Sequence, residues 1–165
     1  MPDDVKMLEE NIKESFAGFR LYFDFHRQFP SYSISIELKK NESEELESML
    51  LLTLKISLLT DYYTVFYEEY TKYKTIALST GLLNTTIIAL TSKREYNKES
   101  NLKKLNELIQ ISFPSHKFIN HDFLFDIKIS QGTPLGEDYN ILKKEYPVYN
   151  FLFDNQSYIN LQVLK

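Results

Sequence analysis

Apolar residues along this chain switch between two periods, and the switches divide it into elements. Residues 3–14 set Val5, Leu8 and Ile12 at helical spacing behind Asp3 and Asp4, whose charge suits a helix N-terminus, so a short opening helix is expected. From Phe16 the period falls to two. Ala17, Phe19, Leu21, Phe23, Phe25 and Phe29 share one face, and Gly18, Arg20, Tyr22, Asp24, His26 and Gln28 the other. Pro30-Ser31 interrupts the run, after which Ile34, Ile36 and Leu38 alternate with Ser33, Ser35, Glu37 and Lys39. The two runs read as a hairpin with one apolar and one polar face.

The stretch 49–59 fits two templates. Asn41 with Glu44 resembles a helix-capping pair ahead of a leucine-rich segment. Yet Leu50, Leu52, Leu54, Ile56 and Leu58 alternate with Leu51, Thr53, Lys55 and Ser57. A helix would strand Lys55 among apolar neighbours, whereas a strand gathers Thr53, Lys55 and Ser57 on one exposed face; the strand is favoured. Thr60-Asp61 signals a turn, and residues 62–73 form a further strand dense in tyrosine. Residues 76–90 and 102–109 carry helical stripes, the second ending near Pro114. Residues 117–130 return to alternation, with Ile119, His121, Phe123, Phe125, Ile127 and Ile129 on one face. A glycine-containing loop follows at 131–136, then a short helix over 137–145 that stops before Pro147. Strands over 148–154 and 158–164, joined at Asn155-Gln156, close the chain as a hairpin. The fold class is α+β: an antiparallel sheet of about six strands packed on one side by two or three helices, in a single domain over 1–165.

Composition sharpens this picture mainly through its aromatics, 12 Tyr and 12 Phe with no Trp. Each such ring can bury roughly 150–250 Å², so a few of them fill a core, and both types favour pleated surfaces. The absence of cysteine removes disulfides, thiolate nucleophiles and cysteine-based zinc sites together. A net charge of −4, its surplus concentrated in residues 1–60, supplies no basic face for nucleic acid. The start, Met1-Pro2-Asp3-Asp4, precedes no apolar stretch, so no signal peptide is expected. The longest apolar run falls short of the roughly 20 residues a bilayer requires, and the expected location is cytoplasmic with no membrane partner.

Motifs for dinucleotide, phosphate, acyl-transfer or zinc-protease chemistry are missing, and no cofactor is implied. His116 and His121, with Asp122 and Asp126, are metal-compatible residue types. On a strand, however, 116 and 121 face opposite ways, and the set is neither dense nor regularly spaced, so no metal site is assigned. The polar strand face Arg20, Tyr22, Asp24 and His26 could hold an anion or support acid–base chemistry, although a solvated face with ordinary cross-strand pairs to Glu37 and Lys39 is the favoured explanation. The segment with Tyr62, Tyr63, Tyr67, Glu68, Glu69 and Tyr70 has more tyrosine than one buried face can absorb. Tyrosine offers contact area at low entropic cost, so this is the candidate partner-binding surface, its acids suited to a basic partner.

These features point to a non-enzymatic protein-binding protein, of which a bacterial toxin-neutralising immunity protein is one concrete form. Two alternatives stand beside it. One is a small-ligand pocket protein or small enzyme using Asp24 and His26; the other is a homo-oligomeric assembly subunit that associates through the terminal hairpin.

Overall fold

The computed structural model describes residues 3–24, 29–44, 46–73, 99–135 and 145–154. Their order is α1 (Asp3–Ser15), β1 (Arg20–Asp24), β2 (Ser31–Glu42), β3 (Leu46–Ser57), β4 (Tyr62–Tyr73), α2 (Glu99–Ser112), β5 (Lys117–Phe118), α3 (His121–Asp126), β6 (Lys128–Ile129), β7 (Tyr146–Pro147) and α4 (Val148–Leu152). The fold is α+β. Five strands form one mostly antiparallel sheet in the order β1-β2-β3-β4-β5, and β6 pairs with β7 as a separate ribbon. The helix expected over 76–90, all but the last residue of that over 137–145, and the strand over 158–164 lie outside the described residues.

The long strands follow from their alternation. Register sets Phe23, Ile34, Leu54 and Val65 in one row and Leu21, Ile36, Leu52 and Tyr67 in the next. With period two, all of these share one face. They join Val5, Leu8 and Ile12 of α1 and Leu105 and Ile109 of α2 in one buried cluster. Residues 49–57 are strand, as alternation favours. Of the capping-like pair upstream, Asn41 instead pairs with Ser48 within β2 and β3, and Glu44 lies in the β2–β3 turn, where Leu46 N–H donates to Ser43 Oγ at 3.0 Å.

The opposite face is where expectation and structure part. Thr53, Lys55 and Ser57 were expected to be exposed, and all three are buried. The reason is a second cluster, built from Phe66 of β4, Leu124 of α3, and Tyr149 and Phe153 of the α4 region. Its residues come from segments expected to be strands. Residues 121–126 are helix: Asn120 caps it by accepting the Asp122 N–H at 2.8 Å, and the buried pair His121 and Leu124 has helical spacing. Phe123 and Ile127, placed in the core by the strand reading, are therefore exposed. Residues 148–152 are helix too, starting after Pro147 with Tyr149 and Phe153 buried four apart. The expected closing hairpin accordingly lacks its first strand. Near the start, residues 16–19 turn out of α1 rather than extend β1, so Phe16 is buried and Phe19 is exposed.

Candidate functional site

The polar face of β1 opens the search. Arg20 and Asp24 are exposed, and Tyr22 donates a 2.6 Å hydrogen bond to Glu37 Oε2 while the Arg20 guanidinium lies 5.4 Å from the Tyr22 ring centre. That bond to Glu37 raises the Tyr22 pKa, with burial adding to it. The group is a cross-strand pairing across β1 and β2. His26 lies outside the described residues.

The tyrosine strand divides between two faces. Tyr63 and Tyr67 point into the first cluster and are buried, and burial raises the Tyr67 phenol's pKa. Glu68 is buried on the opposite face, Glu69 is half-buried, and Tyr62 is exposed at the strand's start. The backbone of Tyr70 continues the strand. The six residues thus do not form one surface, and among the five whose side chains are described, Tyr62 is the most accessible.

A buried polar group fills the second cluster. Lys55 Nζ sits 2.8 Å from Asp154 Oδ2, with both side chains at least nine-tenths buried. Tyr149 also donates to that oxygen at 3.3 Å, and Asn150 Nδ2 donates to the Asp154 carbonyl at 2.8 Å. His121 stacks on Phe66 with ring centres 3.7 Å apart. Burial lowers its pKa to about 3, Lys55 lowers it further, and Asp122 opposes the shift. Lys55, Asp154, Tyr149 and Asn150 are enclosed and paired, as an interior requires. Among the described residues, no three His, Cys, Asp or Glu side chains converge as a metal site.

The feature with open space lies at the end of the sheet. A cleft of about 270 Å³ is bounded by the first turn of α1, the β3–β4 turn and the chain leaving α2. Val5, Tyr32 and Ile56, all buried, form its base, and Leu58, Leu59 and Phe113 its walls. Tyr32 is turned ring-first toward it because its hydroxyl donates to Glu9; burial, then that contact, push the phenol far above its ordinary pKa. Four polar residues join the lining: Ser57, Thr60, Asp61 and His116. Thr60 Oγ1 and His116 Nδ1 are buried atoms with no hydrogen-bond partner among the described residues. The Asp61 carboxylate has neither hydrogen bond nor ion pair there.

Local chemistry holds this end in place. Lys117 N–H donates to the Asp61 carbonyl at 2.8 Å, which begins the parallel pairing of β5 with β4 and draws His116 to the β3–β4 turn. Leu58 N–H bonds the Pro30 carbonyl at 2.7 Å, and Leu59 N–H bonds Ser57 Oγ at 3.2 Å. The turn therefore presents Leu58 and Leu59 outward, 46% and 65% exposed, with Tyr62 exposed at the start of β4. The sequence reading took Thr60-Asp61 as a plain turn and His116 as a metal-type residue. Only the exposed Leu58-Leu59 pair against a turn signal could have marked the place. Comparison with family models, curated proteins and solved structures finds no match for this chain.

Proposed function

We propose that this chain is a non-enzymatic protein-binding protein that receives a basic partner at the β3–β4 end of its sheet. The observation that carries the reading is the exposed apolar pair Leu58 and Leu59, with Tyr62 exposed just after it, at an acidic turn. Large apolar side chains gathered on a surface and rimmed by polar groups mark interaction sites. Asp61 stands within the group, and Asp3 and Asp4 begin the helix whose first turn borders it. Among the described side chains of the tyrosine-rich surface, Tyr62 is the most accessible, and Tyr63 and Tyr67 are buried. A cytoplasmic toxin-neutralising immunity protein remains the concrete version, since a small acidic protein can cover a basic active site.

The test is capture from a lysate of the encoding organism, comparing wild type with Leu59→Asp. Leu59 is exposed, so the substitution is expected to change folding stability by no more than about 0.5 kcal/mol. Wild type is expected to recover a stoichiometric basic partner, with recovery falling as salt is raised and absent for Leu59→Asp. Recovery of no stoichiometric partner under several conditions, or equal recovery by the variant, contradicts the reading. The second reading, a small-ligand site, is favoured by one observation, the cleft with its apolar base. Its volume lies just below the roughly 300–1,000 Å³ of ordinary ligand pockets.

A further inference from the structure

The first strand of the sheet is an edge, and its five residues are complementary to themselves. Among the described residues β1 pairs with β2 alone, so no strand meets the main-chain N–H and C=O groups on its other side. Such a row is a template for a further strand, and edges are commonly blunted by proline, lysine, a bulge or a charge turned inward. The stretch Arg20-Leu21-Tyr22-Phe23-Asp24 contains no proline, glycine or lysine, and it pairs with β2 without a register shift. Its two charges stand at its two ends, one of each sign, and both are exposed.

Alternation decides which side chains a neighbouring strand would meet. Leu21 and Phe23 pack against the main core yet stay half-buried, so each keeps apolar surface to cover. Arg20, Tyr22 and Asp24 lie on the opposite face. There the Tyr22 hydroxyl is committed to Glu37, whereas Arg20 and Asp24 make no ion pair among the described residues. Lys13 Nζ lies 4.9 Å from the Phe23 ring centre, but it already pairs with Glu9 at 3.3 Å and brings no unmatched charge.

An antiparallel copy of the same strand, centred on Tyr22, answers all of these features together. It sets Arg20 opposite the second copy's Asp24, Asp24 opposite its Arg20, and Leu21 opposite its Phe23. Directly opposed residues share a face, so charge meets opposite charge on one side and apolar meets apolar on the other. Parallel pairing in register would oppose like charges at both ends. A one-residue slip would turn the second copy's apolar residues to the polar face.

We propose that β1 is a homodimerisation edge, at which two copies of the chain join through antiparallel β1 strands about a two-fold axis at Tyr22. The contact is isologous, as closed two-fold dimers require, and it runs the sheet of one copy into that of the other. It is separate from the β3–β4 end, since β2 lies between β1 and the strands that form that turn. The seam holds roughly four to six main-chain hydrogen bonds. So small a contact makes a weak dimer, with a dissociation constant on the order of 10–100 μM.

The experiment is sedimentation velocity of the whole chain, over concentrations from about tenfold below to about tenfold above that constant. Wild type is expected to pass from monomer to dimer across the range. Arg20→Asp and Asp24→Arg each oppose like charges at both ends of the seam, and each alone is expected to dimerise about tenfold more weakly or worse. Mixed in equal amounts, the two variants complement each other, and the mixture is expected to regain a dimer of wild-type strength. The double variant carrying both substitutions is expected to regain it alone, which also shows that neither change unfolds the chain. A chain that stays monomeric throughout overturns the proposal. Dimerisation that both single variants leave unchanged, or that neither the mixture nor the double variant restores, places the contact elsewhere and overturns it as well. A monomeric chain whose Arg20–Asp24 amides become protected when a partner protein binds assigns the edge to that partner's strand and overturns the second copy as occupant.

Discussion

A lysine and an aspartate, each at least nine-tenths buried, can remain charged in an interior only because they face each other at 2.8 Å. Breaking such a pair from one side leaves a buried charge uncompensated. Asp154→Ala is therefore expected to lower unfolding stability by about 3–5 kcal/mol, whereas Lys55→Met with Asp154→Leu recovers much of that loss. Urea unfolding of the three proteins checks it, and equal losses in the single and double variants would show that the pair is not the cause. His121 makes a second residue-scale prediction. Its pKa is held at about 3 by burial, against an ordinary value of 6.5, so the folded state keeps it neutral while the unfolded chain protonates it. The stability this contributes is complete above about pH 6.5 and is lost progressively as pH falls toward 3, at no more than about 1.4 kcal/mol per pH unit. His121→Phe keeps a ring against Phe66 and is expected to flatten the stability profile between pH 6.5 and 4. An unchanged slope would place the acid sensitivity elsewhere.

Among the elements, α3 hangs on a single cap. Asn120→Ala removes the side-chain acceptor of the Asp122 N–H and is expected to cost about 1 kcal/mol, read as a lower thermal midpoint. The same helix shows what sequence can carry. β2, β3 and β4 each span 12 residues, long enough for period two to repeat several times and to overrule the capping-like Asn41 and Glu44. α1 and α2 run 13 and 14 residues and were equally legible. α3 and α4, at 6 and 5 residues, complete fewer than two turns, and Phe123, Phe125, Ile127 and Ile129 imitate a strand across the boundary. The cap at Asn120 and the proline at 147, just ahead of α4, were the local signals that outrank such an imitation. Burial of Lys55 was illegible for a different reason: its partner lies 99 positions away, and no local pattern at 53–57 records it. The cleft was hidden likewise, because Thr60 and Asp61 meet His116 only through the pairing of β4 with β5.

For the whole molecule, the two faces of the sheet have different tasks. One face holds the main core, and the other is closed by the cluster around Phe66, Tyr149 and Phe153. With Tyr63, Tyr67 and Glu68 committed inside, the tyrosine-rich strand would serve the proposed recognition mainly by fixing the turn that precedes it. On the proposed reading, recognition falls to the end of the sheet, where Leu58 and Leu59 are exposed and Asp61 makes no ion pair among the described residues. The β1 group of Arg20, Tyr22 and Glu37 satisfies its own hydrogen bond and stands apart from that end. Amide hydrogen exchange of the free protein and of its complex with the captured partner separates these places most directly. The account predicts that binding protects residues 57–63 and 113–118 and leaves Arg20–Asp24 unchanged; protection confined to Arg20–Asp24, or none at the β3–β4 turn, would contradict it.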